Sequence, residues 1–256
     1  MFKELHHQET PLILCNVWDA TSAHIAEKLG YQAIGTSSAA IAKSFGKTDG
    51  QIISFETLLM VVKQISEVTT LPLSVDIEAG YADTPQEIVE NIVKLAKLGV
   101  VGINIEDSQL INGLRFLVDK HNFSEKLSQV KALLNDANIE MFINVRSDTY
   151  IVDAGTALPK TIERISFFEC AGADGIFFPC LTAHDDISKI VAHCSLPLNV
   201  MCMPDLVSFD ELQHLGVKRI SMGNFVYDNL LAHLENTLSS IKQQGSFEPL
   251  SLGYRS

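Results

Sequence analysis

Short apolar runs alternate with amphipathic stretches of helical length along this chain, and that spacing predicts alternating strands and helices. Leu12 to Val17 reads as a first strand, and Asp19 caps a helix through Leu29 that stops at Gly30. Ala33 to Ser38 is a second strand leading into a small-residue loop with Gly46, Asp49 and Gly50. Ser54 and Glu56 open a helix to about Val68, and Leu71 to Tyr81 carries the third strand. Thr84-Pro85-Gln86-Glu87 is a helix start with a cap and proline at the first helical position; that helix ends at Gly99. Val100 to Glu106 is a strand, Asp107 to Asn122 a long loop, Phe123 to Ala137 a helix and Glu140 to Arg146 a strand. A helix from Pro159 to Ala171, strands at Ala173 to Phe178 and Leu196 to Met201, and a helix near Phe209 follow. Val217 to Ser221 and a helix from Phe225 to about Lys242 complete the pattern, with an irregular tail over 245–256.

One junction recurs: a helix ending in glycine, then a short buried strand. It appears at Leu29-Gly30, Leu98-Gly99, Ala171-Gly172 and Leu215-Gly216. About eight strand–helix units with near-continuous apolar strands point to an α/β fold with a parallel sheet. With no GxGxxG after the first strand, a single closed (β/α)8 barrel spanning 1–256 is favoured over an open dinucleotide-binding sheet.

The 256 residues, 46% of them hydrophobic, suffice for one such core. A formal charge of −12 argues against nucleic acid and anionic membranes as partners, though not against anionic substrates. The N-terminus lacks the apolar core of a signal peptide, and no apolar run is long enough to span a bilayer. Five cysteines without CxxC spacing fit a reducing compartment, so the expected location is cytoplasmic.

In such a barrel, chemistry sits at the C-terminal ends of the strands. Asp76 and Glu78 lie two apart at one strand end and, by strand alternation, are expected on one side. Glu106 and Asp107 end the next strand, and Asn144 and Arg146 the one after. An isolated Asp-x-Glu is ordinarily a solvated strand end. Two acidic strand ends together suggest an oxygen-ligand site for a hard cation, Mg2+ first, with Mn2+ as the alternative. Arg146 suits bidentate recognition of a carboxylate, or else pairs with Glu106 or Asp148. Ser37 and Ser38 are turn residues or present hydroxyls and N–H groups to an anion. Asp49-Gly50 is a common turn signal. The histidines read as surface or helix residues, and Trp18 as packing.

These motifs, Val75-Asp76-Ile77-Glu78-Ala79-Gly80-Tyr81, Asn104-Ile105-Glu106-Asp107, Asn144-Val145-Arg146 and Gly46-Lys47-Thr48-Asp49-Gly50, resemble the isocitrate lyase and phosphoenolpyruvate mutase superfamily. The resemblance implies a TIM-type barrel, a last helix exchanged between subunits of a homodimer or homotetramer, and magnesium held largely through water. Carried over by position, Asp76 is the most direct metal ligand, while Asp49, Glu78 and Glu106 hold metal-bound waters. Ser37, Ser38, the Ala39 backbone, Arg146 and Asn199 form the expected binding set for a small carboxylate substrate. Arg146 and Glu106 are the expected catalytic positions, with a metal-bound water or Tyr81 as proton source.

Departures narrow the activity. Isocitrate and methylisocitrate lyases of that group carry a catalytic cysteine in a Lys-Lys-Cys-Gly-His loop, where this chain reads Ser108 to Arg115 without one. Phosphoenolpyruvate mutases place a lysine where Ser108 stands. The pattern resembles instead a branch of 2-oxocarboxylate lyases and decarboxylases. It implies Mg2+-dependent C–C cleavage of a small 2-oxo or 2-hydroxy carboxylate through a pyruvate-like enolate. A phosphonate enzyme and a non-catalytic 2-oxo acid binding barrel are the alternatives.

Overall fold

The computed structural model describes residues 2–48, 50 and 53–250. A 3-10 turn at Glu4–His6 precedes β1 (Leu12–Val17), α1 (Ala20–Lys28), β2 (Ile34–Thr36), α2 (Ser38–Ser44), α3 (Phe55–Ser66), β3 (Leu73–Asp76), α4 (Pro85–Ala96) and β4 (Val100–Glu106). A hairpin of β5 (Ser108–Ile111) and β6 (Leu114–Leu117) leads to α5 (Lys120–Asp136), β7 (Phe142–Arg146), α6 (Thr149–Val152) and α7 (Ala157–Cys170). The last units are β8 (Gly175–Phe177), α8 (His184–His193), β9 (Leu198–Met201), α9 (Phe209–His214), β10 (Arg219–Ser221) and α10 (Phe225–Gln244). Among the described residues, eight parallel strands close in the order β1-β10-β9-β8-β7-β4-β3-β2. This is the (β/α)8 barrel that the alternation predicts.

Strand alternation sorts the side chains into two environments. Ile103, Ile105, Ile143, Val145, Ile176, Val200 and Ile220 belong to the main apolar core. The residues between them, Asn104, Glu106, Asn144, Arg146, Asn199, Arg219 and Ser221, are the strands' polar positions, and hydrogen bonds link them across the barrel. A smaller apolar cluster of Phe2, Leu12, Leu14, Ala33 and Phe142 closes the other end. His6 is part of that closure. It ends the 3-10 turn, its ring stacks on Phe142 at 4.2 Å and it is fully buried, so of the two readings, surface or helix residue, the surface one is corrected.

Several elements differ from the pattern expected, the short α6 among them. The loop expected from Asp107 to Asn122 is mostly the β5–β6 hairpin and the start of α5. Its two-residue turn is Asn112-Gly113, with φ of +53° and +78°, the left-handed pair such hairpins need. The small-residue stretch after β2 forms α2, capped by Ser37. Helix α8 has no side-chain cap at Ala183, so the capping signal is missing and only Asp185 and Asp186 in its first turn mark its start. Of the tail, Glu248–Leu250 forms a 3-10 turn, and 251–256 lie outside the described residues.

Candidate active site

Register builds the barrel mouth. Asp76 pairs with Asn104 across β3 and β4, and Glu106 pairs with Arg146 across β4 and β7. Opposite charges therefore stand side by side at the C-terminal strand ends. A cavity of about 170 Å3 opens there, lined by Ser37, Ser38, Ala39, Asp76, Asn104 and Arg146, with Cys180 and Asn224 among the later strand ends. A second cavity of about 270 Å3 beside the hairpin is lined by Glu78, Glu106, Ser108 and Asp83. Arg146 connects the two, because Nη1 lies 3.2 Å from Glu106 Oε2 and 3.9 Å from Asp76 Oδ2.

Asp76 is buried and held from two sides. Its Oδ2 accepts a hydrogen bond from Ser38 Oγ at 3.0 Å, and its backbone N–H donates to Thr36 Oγ1 at 2.9 Å. Glu78 does not continue the strand. Its φ of +50° and that of Tyr81, +54°, place both in the left-handed region, with Gly80 at +106° between them. A tight turn therefore begins after Asp76, and strand alternation does not set the direction of Glu78. The turn still brings Glu78 close, its N–H lying 3.4 Å from Asp76 Oδ1. A Cβ on Gly80 would meet Ile88 Cγ1 at 2.7 Å, so the turn requires glycine for space as well as conformation.

The other expected residues are placed as follows. The Ser37 hydroxyl accepts the Ala40 N–H as the cap of α2. Asn199 sits fully buried in the barrel interior, bonded to Asn144, Val200 O and Ser221. Tyr81 packs against Phe55 with ring centroids 5.8 Å apart and lines neither mouth cavity. Asp49 lies outside the described residues.

Asp107 turns away from the mouth. Its carboxylate accepts from Ser147 Oγ at 2.6 Å, the Asp148 N–H at 3.2 Å and Arg164 Nη1 at 2.9 Å. Burial pushes its carboxyl up to about 6, while Arg164 opposes the shift. Burial likewise raises Glu106, against the pull of Arg146. Burial disfavours the charged form of Asp148 too, but the Arg146 and Arg115 guanidiniums and the Ser108 hydroxyl together outweigh it and hold it below the usual range.

Arg115 was absent from the sequence-based site, and Asp148 entered it only as the alternative partner of Arg146, a pairing the structure shows. Asp148 clamps Arg146, with Oδ1 accepting from Nε at 2.8 Å. Arg115, on β6, donates from Nη1 to Glu106 Oε1 at 2.9 Å, Ser108 Oγ at 2.8 Å and Asp148 Oδ2 at 2.6 Å. The Asn112-Gly113 turn was the available signal. It folds β6 back along β5 and opposes Arg115 to Leu110, bringing its long side chain to the mouth.

The larger groove at the opposite end, about 480 Å3, contains Asp174, but Lys3 and Lys131 both pair with that carboxylate. No helix among the described residues is long and apolar enough to cross a membrane.

A closed parallel barrel with buried carboxylates and arginines around a small cavity at its C-terminal mouth defines an α/β-barrel enzyme. The phosphoenolpyruvate phosphomutase family matches residues 2–242. A 2-methylisocitrate lyase of Shewanella oneidensis is 30% identical over 216 residues, covering 83% of this chain and 71% of its own. An oxaloacetate decarboxylase of Bradyrhizobium sp. is 29% identical over 215 residues, covering 80% of this chain and 70% of its own. A Burkholderia cenocepacia crystal structure, provisionally assigned as a phosphonomutase, superposes with a TM-score of 0.87 at 32% identity. That match covers 93% of this chain and 97% of the other. The chain belongs to the phosphoenolpyruvate mutase family of the isocitrate lyase superfamily, a group of carbon–carbon lyases and mutases of 2-oxo acids.

Proposed function

We propose that this protein is a Mg2+-dependent lyase that cleaves a C–C bond of a small 2-oxo or 2-hydroxy dicarboxylate through a pyruvate-like enolate. The observation that carries the reading is the 170 Å3 cavity lined together by Asp76, Arg146 and the Ser37-Ser38-Ala39 segment. Its volume suits a compact diacid and is below the usual range for drug-sized ligands.

The donor set fits a hard divalent cation. Asp76, Glu78 and Glu106 are buried oxygen donors, and no group of three or more such side chains among the described residues is close enough to ligate a metal directly. Magnesium commonly keeps several waters, so Asp76 would hold it directly and Glu78 and Glu106 through water, with Mn2+ as the alternative. When bound, the cation supplies Lewis-acid stabilisation of charge developing on the substrate oxygens. Arg146 binds the substrate carboxylate and supports the negative charge that forms as the C–C bond breaks. Ser38 fixes the Asp76 carboxylate, and Ser37, Ser38 and Ala39 line the same cavity beside it.

The relatives named an oxaloacetate decarboxylase and a methylisocitrate lyase favour an oxaloacetate-like or methylisocitrate-like substrate. Segment 108–115 lacks a cysteine, which favours decarboxylation over methylisocitrate cleavage. The deciding experiment follows pyruvate or glyoxylate release from a panel of 2-oxo and 2-hydroxy dicarboxylates, with Mg2+ and with EDTA. Metal-dependent release from a dicarboxylate supports the reading. Turnover of phosphonopyruvate alone replaces it with a phosphonate enzyme, the reading favoured by the Burkholderia neighbour.

The same proposal includes a homodimer or homotetramer in the cytoplasm. Helix α10 leaves Leu230, Leu231, Leu234 and Leu238 exposed on a helix of 20 residues, a surface suited to a second copy of the chain. All five cysteines are free thiols, as a reducing compartment maintains them. Sedimentation at a single monomeric mass would overturn the oligomer.

A further inference from the structure

Four charged side chains at the mouth form a closed ring. Arg115 Nη1 bonds Glu106 Oε1 at 2.9 Å and Asp148 Oδ2 at 2.6 Å. Arg146 reaches the other oxygens of the same two carboxylates, Glu106 Oε2 at 3.2 Å from Nη1 and Asp148 Oδ1 at 2.8 Å from Nε. Each carboxylate bridges both guanidiniums, and charges alternate around the ring. The Asp148 side chain is inaccessible to solvent, and those of Glu106, Arg146 and Arg115 are 5%, 11% and 14% exposed, so these pairs are little screened by water.

Three ring members come from the barrel wall or the segment following it. The fourth does not. Arg115 belongs to β6 of the hairpin, where Gln109, Leu110, Ile111 and Leu114 are exposed. Ser108, the first residue of β5, completes the attachment by donating to Asp148 Oδ2 and accepting from Arg115. With the hairpin in place the ring carries two positive and two negative charges. Without Arg115, two buried carboxylates share one guanidinium, and Arg146 is drawn towards them rather than presented to the cavity.

We propose that Arg115 is a positioning residue: it completes the charge ring only when the hairpin is seated, and so makes the alignment of Arg146 conditional on the hairpin. Arg115 lines neither mouth cavity and acts through Glu106 and Asp148. The inference deepens the proposed function by resting on Arg146 as the group that binds the substrate carboxylate.

The test compares Arg115→Met and Arg115→Lys with the wild-type enzyme. For the proposed reaction, Arg115→Met should lower kcat by about 10- to 100-fold, the scale of a misplaced catalytic group. The Lys variant should lose less, and guanidinium ion in millimolar amounts should partly rescue Arg115→Ala. Wild-type kcat and KM in Arg115→Met would overturn the proposal. A second readout does not need the substrate to be right. Amide hydrogen exchange should accelerate together in 108–117 and at Ser147 and Asp148 in the Met variant. Acceleration confined to the hairpin overturns the coupling even if no substrate in the panel turns over. Should Arg115→Met fail to fold, Arg115→Lys and Arg115→Gln carry the same exchange comparison.

Discussion

Asp107 Oδ2 accepts a hydrogen bond from Arg164 Nη1 at 2.9 Å, turning the second acid of the Glu106-Asp107 pair away from the mouth. Glu106 and Asp107 are neighbours in sequence with opposite surroundings. Glu106 lies on the interior side of β4, while Asp107 follows the strand and ties it to the start of α6 and to α7. Both members of the Asp107–Arg164 pair are buried. Removing Arg164 leaves the Asp107 carboxyl enclosed without its charge partner.

Arg164→Met is therefore expected to destabilise the fold by about 3–5 kcal/mol, the usual consequence of breaking a buried pair from one side. Urea unfolding measures it as a lower midpoint. Because Arg164 lines neither mouth cavity, the folded variant should keep the wild-type KM.

Asp76→Asn preserves the shape of the side chain and can still accept from Ser38, but removes the charge expected to face a cation. Turnover should fall by roughly 100- to 1000-fold, the scale seen when a single transition-state electrostatic contact is removed. Mg2+ should raise the melting temperature of the wild type and not that of the variant. Equal Mg2+-induced shifts in both proteins would remove Asp76 from metal binding.

Gly80→Ala tests the turn that carries Glu78. The added Cβ would meet Ile88 at 2.7 Å, and φ of +106° is a conformation alanine rarely adopts. A loss of about 1–3 kcal/mol is expected from overpacking and strain, together with weaker Mg2+ affinity as the turn shifts. Calorimetric unfolding and Mg2+ titration separate the two effects.

His6 gives the protein a pH dependence unrelated to the active site. Burial, reinforced by Arg219, lowers its pKa to about 3 from the ordinary 6.5. Between those values the unfolded chain takes up a proton that the folded protein refuses. Its contribution is thus fully present above pH 6.5 and is lost as the pH falls towards 3, at about 1.4 kcal/mol per pH unit. His6→Phe should flatten the stability profile by that one-proton slope. Urea midpoints at pH 7, 6, 5 and 4.5 in both proteins provide the check, and parallel profiles would contradict it.

Local pattern determined most of the architecture. The recurring Leu-Gly or Ala-Gly junctions, the Thr84-Pro85-Gln86-Glu87 start and the apolar strand runs pointed to alternating strands and helices, from which a parallel sheet follows. Strand period also put Glu106, Asn144 and Arg146 among the mouth residues, because side-chain direction in a strand is a local property. Tertiary structure decided where a local rule ended or a distant partner intervened. The left-handed turn at Glu78 ended alternation after Asp76, and burial of His6 against Phe142 depended on an N-terminal segment closing the far end of the barrel. Arg164 claimed Asp107 from 57 residues away, and the hairpin carried Arg115 to Asp148 across 33. Charge pairing depends on distance through space, so two adjacent acids could acquire different roles that sequence spacing alone does not distinguish.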